Sequence, residues 1–152
     1  MGIRLAASLL WWNAAFLLWM SAGDLAALRS EPDPQKRSDK AMQYAARAVD
    51  EARETYRAGG IDQAKAALNE VREAVNISYA SLEESGKDAR RSPKHFKRAE
   101  LKIRELLRRL RGLSAEADVD DRPAFDAVVS RLQEIHDELL AAIMGTRKGG
   151  TK

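Results

Sequence analysis

Between residues 38 and 145 the apolar side chains fall into four successive runs at three- and four-residue spacing, each bounded by glycine, proline, serine or aspartate. An α-helix turns once in about 3.6 residues, so side chains at that spacing share one flank. A chain patterned this way must press those flanks together or leave them in water. There is no cysteine, so no disulfide or thiolate-held metal can do the work of packing. The pattern therefore predicts an all-α domain over residues 38–145. An antiparallel four-helix bundle is the first arrangement expected, and two helical hairpins stacked as a short solenoid the second.

The four runs can be read residue by residue. Ser38 is placed to cap the first helix, whose face carries Ala41, Ala45, Ala48, Ala52 and Tyr56 with Met42 and Val49 beside them. Gly59-Gly60 ends it, because glycine enters the left-handed conformation of a helix C-terminus without penalty. The second helix starts almost at once and repeats Ile61, Ala64, Leu68, Val71, Val75, Ser78 and Leu82, closing at Ser85-Gly86. So short a connection forces an antiparallel hairpin. Ser92 as cap and Pro93 as first helical residue open the third helix, with Phe96, Ala99, Ile103, Leu106, Leu107, Leu110 and Leu113 on one face and Gly112 marking the end. Asp120, Asp121 and Pro123 introduce a fourth, with Phe125, Val128, Leu132, Ile135, Leu139 and Ile143 in its seam and Gly145 at its close.

The first 23 residues have a different character. Met1 to Arg4 is short and positive, Leu5 to Met20 is apolar apart from Ser8 and Asn13, and Ser21-Ala22-Gly23 offers small residues before Asp24. This three-part layout predicts a secretory signal peptide over residues 1–23. An uncleaved N-terminal membrane anchor is the alternative, although a span needs ~20 apolar residues. Either reading places the remainder outside the cytoplasm: periplasmic or secreted if cleaved, facing outward from the inner membrane if not. Residues 24–37 hold Pro32 and Pro34 among charges and read as a linker, and residues 146–152 as a disordered basic tail.

The stretch from Ala45 to Leu82, through Ala48, Tyr56, Gly59 or Gly60, Ala64 and Leu68, resembles a single tetratricopeptide-type helical hairpin. Such repeats usually belong to adaptors that bind peptides or other proteins. The resemblance thus implies a binding role and a protein partner. The third and fourth helices do not repeat its Tyr-x-x-Gly pattern.

Charge is unevenly spread. Residues 87–111 hold eleven Lys and Arg against three acidic residues, a net +8, while residues 24–86 and 112–152 are each net −3. On a helical wheel Lys94, Lys97, Arg98, Lys102, Arg104, Arg108, Arg109 and Arg111 gather opposite the apolar face, with Leu101 among them. This is the candidate anion-binding surface, for lipid head groups, acidic polymers or an acidic protein. The competing expectation is a solvated face neutralised by the acidic neighbouring helices. Nucleic acid is disfavoured, since no helix-turn-helix spacing and no aromatic residue accompany the basic side.

No catalytic or metal-binding constellation emerges, and no cofactor is implied. His136 lies inside the fourth helix's apolar face and is expected to be a boundary residue with a hydrogen-bonded ring; His95 is expected at the surface. No His-x-x-x-His or Glu-x-x-His pair exists. Asn76-Ile77-Ser78 matches a glycosylation acceptor but falls in mid-helix. Tyr44, Tyr56 and Tyr79 are expected in hairpin packing. The leading functional expectation is a non-enzymatic exported or envelope module acting through protein–protein contact. Anion binding through the third helix is the alternative.

Overall fold

The computed structural model describes residues 24–145. The signal or anchor reading of residues 1–23 and the tail at 146–152 lie outside the described residues. Residues 24–30 are helical (α1). Four long helices follow: α2 (Pro34–Arg57), α3 (Ile61–Glu84), α4 (Lys94–Glu116) and α5 (Arg122–Met144). The described residues contain no strand.

The α2–α3 pair is a tight antiparallel hairpin. Its seam is made of small residues: Ala41, Ala45, Ala48 and Ala52 of α2 face Ala64, Ala67, Val71, Ala74 and Val75 of α3, all buried. Gly59 turns the chain with φ of +83°, a conformation that costs a residue with a Cβ about 1–2 kcal/mol. Ser38 and Ser78 meet inside the seam, their hydroxyls 2.8 Å apart. Tyr44 donates to Glu70 at 2.6 Å across the same pair of helices.

The α4–α5 hairpin is built from larger side chains. Phe96, Ile103, Leu106, Leu107 and Leu110 pack with Phe125, Val128, Leu132, Ile135 and Leu139. Its connection is held by side chains. Arg122 donates to the carbonyls of Ser114 at 3.3 Å and Ala117 at 3.2 Å, satisfying acceptors that a helix end leaves open. Ser114 donates to Asp126 at 2.6 Å.

The two hairpins stack in the same sense. Arg98 meets Asp39, Arg109 meets Asp50 and Arg57 meets Glu116. Residue numbers rise together along these contacts, so α4 runs parallel to α2. Arg131 of α5 likewise donates to Asn76 of α3 at 3.0 Å, and α5 neighbours α3 as α4 neighbours α2. The bundle is thus two antiparallel hairpins laid one on the other, the stacked form of the two arrangements expected. Tyr56 fastens the layers at one end. Its ring packs edge-on to Phe125 with centroids 5.3 Å apart, and its hydroxyl accepts the Asp118 N–H at 2.9 Å.

Several local expectations are corrected. Residues 24–30, read as linker, are helical, with Leu28 buried and Leu25 packed on the core. The first long helix begins at Pro34, not Ser38: Asp33 accepts the N–H groups of Gln35 and Lys36, and proline suits the first turn because its missing N–H needs no partner there. Ser38 is therefore interior. Ser92 does not cap α4; Pro93 is in right-handed helical geometry and no side chain caps this end. Asp88 supplies the order instead, its carboxylate accepting from Arg90 and Arg91. Gly112 does not stop α4, which continues to Glu116; this glycine faces open space on the exposed side, where it costs only propensity.

Candidate binding surfaces

The parallel stacking of α3 on α5 brings their C-terminal ends together, and the connection over residues 85–93 folds beside them. An open groove of about 1130 Å³ results. Tyr79, Phe96, Leu139, Ala141 and Ala142 give it an apolar floor, and Glu83, Asp88, Glu134, Asp137 and Glu138 outnumber Lys87 and Arg90 around it. The Tyr79 phenol is held neutral: burial first, then the Glu83 and Glu138 carboxylates, push its ionisation far above the ordinary tyrosine range. Gly145 ends α5 in the left-handed conformation with φ of +74°, and the Arg90 side chain lies so close that an added Cβ would meet its Nε at 2.7 Å. Size, apolar lining and a few polar groups are what a binding cleft requires.

Sequence reasoning missed this groove. It assigned Tyr79 to hairpin packing and noted that Glu134, Asp137 and Glu138 turn away from the seam. They do, and they reach the groove. Tyr44 and Tyr56 serve in packing, the first within a hairpin and the second between the two.

The eight basic residues of the candidate anion-binding face are all on α4, but the structure divides them. Arg98 pairs with Asp39 at 2.7 Å, and Arg109 pairs with Asp50. Arg111 donates to Gln133 at 2.5 Å. Lys102 lies 3.9 Å from Glu105 on its own helix, and Arg104 lies 3.7 Å from Glu100. Lys94, Lys97 and Arg108 are exposed and form no ion pair with another described residue. Acidic neighbours thus neutralise one flank of the face and leave the other open.

His136 is largely buried at the α4–α5 boundary, with Nε2 3.0 Å from Glu100 and Nδ1 3.4 Å from Asp137. Glu100 is itself buried, and a carboxylate there needs partners. The ring therefore fastens α5 to α4. His95 departs from its expected surface place: its Nδ1 is buried with no hydrogen-bond partner. Ser78 of the glycosylation match is packed in the α2–α3 seam. Among the described residues no group of three or more His, Asp or Glu is placed to hold a metal ion, and no described helix is long and apolar enough to cross a membrane.

The described residues define an all-α module of two stacked hairpins, with an acid-rimmed groove at one end and a partly neutralised basic ridge along one side. Comparison with protein-family models, curated proteins and solved structures gives no match.

Proposed function

We propose that this chain is a non-enzymatic helical module that works by protein–protein contact, exported to the envelope or beyond, or held there by residues 1–23. The observation that carries the reading is the open groove between the ends of α3 and α5, with its apolar floor and acidic rim. Five carboxylates against two cations favour a partner segment bearing Lys or Arg, since complementary charge sets specificity and encounter rate. Apolar contact with Tyr79, Phe96 and the alanines supplies the dry area beneath. The likeness of residues 45–82 to a tetratricopeptide-type hairpin supports the same reading, and the layout of residues 1–23 supports export.

The test uses the full chain with a photocrosslinking residue in place of Ala142, expressed in cells and recovered from the envelope fraction. A discrete adduct is expected, and it should disappear when Glu134→Lys and Glu138→Lys are added. An Ala142 position that captures no partner, or captures the same one after charge reversal, sinks the groove reading. Terminal sequencing of the fractionated protein tests export separately: cleavage predicts a mature chain beginning at Asp24.

A further inference from the structure

The expected basic face of α4 is not one surface but two, and the unspent half has a definite shape. Lys94, Lys97, Leu101, Arg104 and Arg108 stand at steps of three, four, three and four residues, which keeps them on one stripe. All five are exposed. At 1.5 Å per residue the stripe is about 21 Å long. Along its α2 side Arg98 and Arg109 are consumed by Asp39 and Asp50, and on another side Arg111 is taken by Gln133. The acidic groups of α4 do little to cancel the stripe. Glu105 lies by Lys102, and Glu100 turns inward to His136 at 3.0 Å, with Arg104 farther off at 3.7 Å. Leu101, 53% exposed, stands in the middle.

We propose that this stripe docks on anionic phospholipid head groups, with Lys94, Lys97, Arg104 and Arg108 meeting phosphates and Leu101 entering between them. The proposal is independent of the groove. Three features select a lipid surface over other polyanions. The stripe lies on one helix and offers a ridge for a plane of head groups, not a cleft for a strand. It has no aromatic side chain on which a base could stack. Its centre is a leucine, which gains nothing from a soluble polyanion but leaves water at a bilayer interface. Lysine and arginine stems lie along apolar surface while their charges stay at phosphate level.

The absence of cysteine makes a direct test available. A polarity-sensitive fluorophore is attached to Gly112→Cys in the full chain. Gly112 is exposed, with nothing within 4 Å of an added Cβ, and falls five turns beyond Lys94 on the same line. A second labelled chain carries Asn69→Cys on α3, which packs little against α4. Vesicles of phosphatidylcholine alone are compared with vesicles containing phosphatidylglycerol. The Gly112 label should shift to the blue with the anionic vesicles alone, while the Asn69 label stays unchanged. Raising the salt should reverse the shift, as screened charge contacts require. Lys97→Glu with Arg108→Glu should lower binding on the order of 100-fold, at roughly fivefold per unit of charge near an anionic surface. Leu101→Asp should weaken vesicle binding and leave heparin binding alone. Equal shifts on both vesicle types, or a shift unmoved by the charge reversals, overturn the proposal. So does binding to heparin or DNA without binding to anionic vesicles, which would make the partner a soluble polyanion. Circular dichroism that is unchanged in each variant shows that lost binding is not lost fold.

Discussion

The two hairpins share a helical plan and differ in what fills the seam. In α2–α3 the facing positions are mostly alanine, and the chain reverses through Ala58, Gly59 and Gly60. In α4–α5 they are Leu, Ile, Val and Phe, and the reversal takes residues 117–121. Small side chains let two backbones come close, and a close pair is joined by a short turn. Large side chains hold the helices apart, and the longer link is then tied by Arg122 and Ser114. One seam is close-fitting and has no spare volume; the other is thick and depends on the bulk it contains. The first should fail when atoms are added and the second when they are removed.

The largest effect is expected in the thick seam. Leu132 is wholly buried, so Leu132→Ala should cost about 2–5 kcal/mol by lost burial and residual cavity. Urea denaturation followed by circular dichroism measures it. A loss near zero would mean that the α4–α5 seam collapses around the gap, and the contrast between hairpins would fail. Next comes Ala45→Leu in the close-fitting seam, where overpacking should cost about 1–3 kcal/mol although apolar area is gained. An Ala45→Leu chain as stable as the parent would show that α2 and α3 have room to spare.

Gly59→Ala separates backbone from packing. Nothing lies within 4 Å of an added Cβ there, so the expected loss of about 1–2 kcal/mol is conformational alone. The smallest effect concerns helix entry. Hydrogen bonds from Lys36 and Gln35 hold the Asp33 carboxyl below its ordinary pKa. Its contribution is therefore complete above the ordinary aspartate range and fades as the pH falls through the lowered value. Amide exchange at Gln35 and Lys36 should quicken on acidification, while the entries of α4 and α5, which no side chain caps, show no such change. Equal acid sensitivity at all three entries would remove this difference between the hairpins.

The four stripes were legible because period and burial coincide: Ala41 to Ala52, Ala64 to Leu82, Phe96 to Leu113 and Phe125 to Leu139 all face inward. The Gly59 turn was legible because a left-handed backbone selects glycine. The start of α2 was misread because prolines suggested a break, whereas proline directly after aspartate is also how a helix begins. The groove left no local signature. Tyr79 and Glu83 reach it from α3, and Glu134, Glu138 and Ala142 from α5; what joins them is the parallel stacking of hairpins, a relation between segments more than fifty residues apart. The wheel placed the basic residues of α4 correctly opposite its apolar face. It could not say that Arg98 and Arg109 meet aspartates while Lys97 and Arg108 meet none, since that depends on which helix lies alongside.

The Ser38–Ser78 contact has a consequence beyond its own modest energy. Two alanine-lined helices present nearly smooth surfaces, and by shape alone one could slip along the other by a full turn. A slip of about 5.4 Å would leave both alcohols in a dry interface without a mate, at about 1–3 kcal/mol for each stranded group. The pair works as a dowel. It adds little to how firmly the first hairpin holds and much to where it holds.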